Sequence, residues 1–260
     1  MLGHIISFGI QKGGVGKTTT AGITSYLLSK DYKVLAVDFD SQGNLTYLLT
    51  QRNPYDFTEQ SALEAVKDKD PEPYLYGINE SLHVLPAEDL LATFSRYLYN
   101  EYRGDKTALL KETLEPVKNN YDYIIIDLPP NLGDQTINGL TASDFAVVLL
   151  QSEPFALDAL DRYLETLKII QDNTNPDLRL LGILTTMLDA RASIDTAIIN
   201  KARKDYEDVV FETVVKRRSR IKEFSLEGIS DRTKADKEAL ELYNNFTKEL
   251  INRVQEKCHQ

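Results

Sequence analysis

Seven short apolar runs recur along the chain: HIISFGI, VLAVDFD, LHVLPA, YIIIDLPP, FAVVLLQS, LRLLGILTTM and VVFETVV. Several are apolar at successive rather than alternate positions, as strands covered on both faces are, and they predict a parallel sheet. Between them, TTTAGITSYLLSK, ALLKETLEPVKNN, LDALDRYLETLKIIQD and SIDTAIINKARKDY place apolar residues near helical spacing. A last helix is predicted over about 234 to 257, where Leu240, Tyr243, Phe246, Leu250 and Val254 recur at steps of three or four. Strand alternating with helix over this length predicts an α/β fold: a doubly wound, mainly parallel sheet with helices on both faces. Residues 50 to 80, rich in Pro, Asp and Tyr with weaker periodicity, read as an excursion from that core.

Composition narrows the class. The 260 residues suit one α/β domain spanning 1–260, and no run approaches the roughly 20 apolar residues of a membrane span. The amino terminus, MLGHIISFGIQ, has no basic region, long apolar stretch or small-residue cleavage site, so a cytoplasmic protein without a separate amino-terminal DNA-reading domain is expected. Cys258 is the sole cysteine, which excludes a disulfide framework or a CxxC metal pattern. His4, His83 and His259 stand apart, without ligand or triad spacing. A net charge of −10, from 30 Lys+Arg against 40 Asp+Glu, discourages indiscriminate contact with nucleic acid or anionic lipid, so any such contact needs a local patch.

The chemistry starts in IISFGIQKGGVGKTTTAG. Glycines after an apolar strand let backbone N–H groups converge on anionic oxygens, and the helix that follows directs its positive end at them. Gly13, Gly14, Val15 and Gly16 form that loop, Lys17 reaches the β and γ phosphates, Thr18 offers its hydroxyl to Mg²⁺, and Thr19 completes the phosphate-binding set. ATP or GTP is the expected ligand, and the lack of a guanine-reading NKxD sequence tilts toward ATP. Gln11 stands where the usual loop has its first glycine, and Lys12 is a second lysine. In IIIDLPP an apolar strand ends in Asp127, placed to bind Mg²⁺ through water, with Pro129 and Pro130 stiffening the exit. In VDFDSQGN another strand end delivers Asp38 and Asp40 beside the loop. Without a phosphate loop next to them, these aspartates would read as strand-end caps.

KGGVGKTTT, AVDFDSQGN and YDYIIIDLPPNLGDQTINGLTASD, in that order, resemble the ParA/Soj family of partition ATPases, phosphate-loop NTPases of the deviant Walker A type, related to MinD and the nitrogenase iron protein. The resemblance extends through VVFETVVKRRSRIKE and so covers most of the chain. It implies that Lys12 crosses a dimer interface toward the partner's nucleotide, making an ATP sandwich in which Lys12, Lys17 and Asp40 act in catalysis. It implies that Asp40 positions or deprotonates the attacking water, that Gln42 and Asn44 belong to the adjoining switch segment, and that Asp38 helps hold Mg²⁺ or the local backbone. Slow basal hydrolysis, raised by a ParB-type partner, follows from it, since these motifs contain no arginine finger.

VVKRRSRIK puts Lys216, Arg217, Arg218, Arg220 and Lys222 within seven residues of an acidic chain. A solvated strand exit is the ordinary explanation. The resemblance implies instead nonspecific DNA binding by the dimer, with Arg220 matching a recurrent arginine and Arg191 on the same surface. The chain departs from the family near IPRN, where it has Lys216 and Arg218; Met187 and Asp189 are further nucleotide-binding candidates. A MinD-like protein would carry an amphipathic membrane helix at its end, but FTKELINRVQEKCHQ has modest apolar content and is expected to pack on the core, with no membrane partner. The iron protein needs cluster-ligating cysteines that are absent. A metabolic phosphate-transfer enzyme of the same fold would have no use for the basic run or a second loop lysine.

Overall fold

The computed structural model describes residues 3–151, 156–188 and 193–258, with the backbone alone at 187, 188 and 193–195. The seven apolar runs form β1 (His4–Gly9), β2 (Val34–Asp38), β4 (Leu82–Leu85), β5 (Tyr123–Asp127), β6 (Phe145–Gln151), β7 (Arg179–Leu188) and β8 (Val210–Lys216). The excursion at 50 to 80 supplies an eighth strand, β3 (Tyr76–Gly77). The order across the sheet is β3-β4-β2-β5-β1-β6-β7-β8, and every pairing is parallel except β3 with β4. The consecutive apolar residues are explained by this layout: β2, β5 and β6 are buried at every position.

The helices are α1 (Lys17–Leu28), α2 (Asn44–Thr50), α3 (Ala62–Asp68), α4 (Phe94–Asn100), α5 (Leu109–Leu114), α6 (Asp134–Ala142), α7 (Ala156–Asn173), α8 (Ser193–Tyr206), α9 (Ser219–Glu227) and α10 (Lys234–Cys258). They cover both faces of the sheet: α1 packs with α10 and against β1, β2 and β5, whereas α6 and α7 pack together against β1 and β6. On α10, Leu240, Tyr243, Phe246, Leu250 and Val254 are all buried, so its three-and-four spacing is the stripe that meets the core. Phe246 sits edge-on to Phe8, 6.3 Å away, and to Phe211, 4.9 Å away.

Local chemistry starts α10. The Thr233 hydroxyl accepts from the Asp236 N–H at 3.1 Å, and the Asp236 carboxylate accepts from the Thr233 N–H at 3.0 Å, a reciprocal cap for otherwise unpaired amides. The sheet edges are short or partly covered. β3 contributes two residues, and at the far edge the Glu249 carboxylate of α10 accepts from the N–H groups of Glu212 and Thr213 on β8, at 2.8 and 3.1 Å.

Two features bring the strand ends to one place. Asp38 lies opposite Asp127 in the β2–β5 register, and Phe8 lies opposite Asp127 in the β1–β5 register, so β1, β2 and β5 finish side by side. Beneath the end of β1, a Cβ at Gly9 would stand 1.7 Å from the Tyr163 hydroxyl, so only glycine leaves room for that ring.

Candidate nucleotide-binding site

The loop from Ile10 to Gly16 rises from β1 and turns into α1. Gly14 and Gly16 have φ of 76° and 85°, a left-handed conformation that side chains resist, which is why glycine recurs there. Val15 is buried, and its carbonyl accepts from the Thr186 hydroxyl at 2.8 Å, fastening the loop to β7. Lys17 opens α1, and its ammonium donates to the Lys12 carbonyl at 3.0 Å. Burial lowers the Lys17 pKa, and Asp127 followed by Asp40 works against that fall. A poorly hydrated cation at the positive end of a helix is suited to anionic oxygens.

Gly13, Gly14, Gly16, Lys17, Thr18 and Thr19 line one side of an open cleft of about 460 Å³; Asp40, Gln42, Asn44, Tyr47 and Leu48 line another, and Pro130 and Ser225 complete it. Asp127 lies at the base of the loop. It is 1% exposed, and neither carboxylate oxygen has a hydrogen-bond partner of good geometry. Burial and then the neighbouring Asp38 push its carboxyl well above the usual range, against the pull of the Thr18 hydroxyl and Lys17. Buried orphan carboxylate oxygens beside a threonine hydroxyl are the hard oxygen donors that Mg²⁺ takes, so Thr18 and Asp127 fit that ion.

Asp38 is placed differently from the other metal candidates. It is fully buried, and its carboxylate accepts from Thr46 and from the Asp40 backbone. Burial pushes it up to about 7 despite those bonds. Lys12 is half-buried on the outer part of the loop, its N–H donating to the Ile10 carbonyl at 2.9 Å.

The basic run straddles the end of β8 and the start of α9. Lys216, Arg217, Arg218 and Lys222 are exposed and make no ion pair among the described residues. Arg220, expected to share that outward role, is partly exposed and paired with carboxylates of its own chain. Its guanidinium reaches Asp236, Glu223 and Glu227, each at 2.7 Å, and these partners raise its pKa. Of the remaining candidates, Met187 has only its backbone described, within β7, and Asp189 and Arg191 lie outside the described residues.

Comparison with known proteins agrees with this geometry. The AAA domain family model matches residues 3–180. The sporulation initiation inhibitor protein Soj of Bacillus subtilis is 41% identical over 225 residues, 85% of this chain and 87% of that protein. This chain belongs to the ParA/Soj family of partition ATPases. Another family member, the chromosome-partitioning ATPase Soj of Thermus thermophilus, is 35% identical over 96% of both chains. Among solved structures, cobyrinic acid a,c-diamide synthase from Mycobacterium smegmatis with bound ATP analog and magnesium matches with a TM-score of 0.84 and 32% identity, covering 97% of this chain and 95% of that one. Within this ParA/Soj protein no described helix is long and apolar enough to cross a membrane.

Periodicity and motif spacing missed Tyr47, Leu48 and Ser225. The first two follow the VDFDSQGN motif on a seven-residue helix too short for a clear apolar period. Ser225 reaches the cleft from α9, far along the chain, and carries no local signal at all.

Proposed function

We propose that this protein is an ATP-dependent DNA partition ATPase: it binds Mg–ATP in the cleft, pairs with a second copy around it, attaches to nonspecific double-stranded DNA, and is released when a ParB-type partner stimulates hydrolysis. The convergence of Lys17, Thr18 and the unpartnered Asp127 carboxylate beneath one glycine loop carries the proposal. Bound Mg²⁺ supplies charge neutralisation at the phosphates. Around it, Lys17 and the first amides of α1 hold phosphate oxygens, Thr18 and Asp127 hold the cation, and Asp40 orients the attacking water and receives its proton. Lys12 reaches across to the other copy's nucleotide. No arginine lines the cleft among the described residues, which supports slow turnover until a partner completes the site.

The exposed Lys216, Arg217, Arg218 and Lys222 support the DNA step, since phosphate contacts of this kind bring affinity without sequence information. A metabolic enzyme of the same fold has no use for such a strip on a chain of net charge −10. The Asp40→Ala protein saturated with Mg–ATP should sediment as a dimer and with ADP as a monomer. Single chains in both would overturn the sandwich. With about three phosphate contacts per copy, the dimer's affinity for random duplex DNA should fall with salt at a log-log slope of roughly −5.

A further inference from the structure

We propose that Asp38 is a positioning residue that sets the segment carrying Asp40, and that holding Mg²⁺ falls to Asp127 without it. This deepens the ATPase proposal and rests on it. Asp38 Oδ2 accepts two hydrogen bonds from Thr46, one from the backbone N–H and one from the hydroxyl, both at 2.8 Å. Its Oδ1 accepts from the Asp40 N–H at 3.3 Å. The Thr46 hydroxyl in turn accepts from the Ala87 N–H at 2.8 Å, just beyond β4. One buried carboxylate therefore fastens both ends of the turn between Asp40 and the first residues of α2, and Thr46 fastens that turn to the neighbouring strand.

The turn needs fastening from within. It passes through Gly43 at φ 61°, where a Cβ would meet Pro54 at 2.7 Å and the Ala87 carbonyl oxygen at 2.9 Å. Asp40, Gln42 and Asn44 project from it into the cleft, while Asp38 and Asp127 both lie buried behind its lining. The neighbouring aspartate shows the opposite condition: neither Asp127 oxygen has a hydrogen-bond partner of good geometry, and the Thr18 hydroxyl lies beside them. Two carboxylates in register have thus divided the work: one is saturated by protein donors, and the other is left open for a hard cation. Recruiting Asp38 to a metal-bound water would mean giving up the Thr46 bonds and releasing the first turn of α2.

The test compares wild-type protein with Asp38→Asn, Thr46→Val and Thr46→Ser in three measurements: amide exchange over residues 44–50, the Mg²⁺ concentration giving half-maximal thermal stabilisation with a non-hydrolysable ATP analogue, and ATP turnover. Asp38→Asn and Thr46→Val should each speed exchange at α2 and slow turnover by at least about tenfold, as expected when charge-assisted bonds holding a short helix are lost. The half-saturating Mg²⁺ concentration should stay within about twofold, and Thr46→Ser, which keeps the hydroxyl, should restore exchange and turnover to within about threefold. A tenfold rise in that Mg²⁺ concentration with unchanged exchange at α2 would make Asp38 a metal holder and overturn the proposal, as would an Asp38→Asn protein unchanged in exchange and turnover. Failure of the wild-type chain to hydrolyse ATP would sink the ATPase proposal instead, and it is told apart because the exchange comparison needs no nucleotide.

Discussion

Lys17 is held by burial in a poorly hydrated state and by the Lys12 carbonyl in a fixed direction. Lys17→Ala should weaken ATP binding by on the order of 100-fold in calorimetry, because a charge-assisted contact to phosphate is lost with nothing nearby to replace it. Lys222 and Arg220 share α9 but are in opposite electrostatic situations, one exposed and the other among three carboxylates. Lys222→Glu should weaken DNA binding uniformly across sequences and flatten the salt slope by about 1 per copy, measured by fluorescence anisotropy. Arg220→Glu should instead lower the unfolding temperature, since it would place a fourth carboxylate beside Asp236, Glu223 and Glu227. The residue types of the phosphate site were legible in the sequence, because a loop that binds through its backbone constrains its glycines locally. Which arginine faced outward was not, since that depends on Asp236, sixteen residues away on another helix.

Among the elements, seven of the eight strands were readable because each is a short run dominated by apolar residues, whereas the two-residue β3 and the helices α2, α3, α4 and α6 were not, those helices having seven to nine residues and fewer than three turns over which a period can declare itself. The start of α10, which apolar spacing alone places near 234, is fixed by Thr233 and Asp236 as a capping pair. The Thr233 backbone N–H, and then the Arg220 side chain, hold the Asp236 carboxyl below the usual carboxylate range. A depressed carboxyl stabilises the fold above its unfolded-state pKa, and that stability drains away as pH falls through the lower, folded-state value. Asp236→Asn should therefore lower the melting temperature at pH 7 and shrink the difference between variant and wild type as pH drops below about 4, followed by thermal denaturation across pH.

The whole molecule is organised around one eight-stranded sheet whose buried side chains form a continuous cluster from Ile5 to Val254. Phe246 joins α10 to β1 and β8 through two edge-on rings. Phe246→Ala should cost about 3–5 kcal/mol in urea unfolding, leaving a void the surrounding rings cannot fill. Strand order was beyond the sequence, because parallel neighbours are joined by helical crossovers that leave no mark of which strands end up adjacent. The two margins of the sheet carry a last consequence. Among the described residues, one margin is a two-residue antiparallel strip, and at the other the Glu249 carboxylate occupies the amides of Glu212 and Thr213, which shortens the row of backbone groups open to a further strand. Short and partly covered margins disfavour growth by edge pairing, so assemblies of many copies should stack through side-chain surfaces and dissolve with salt or nucleotide exchange where a growing cross-strand ribbon would persist.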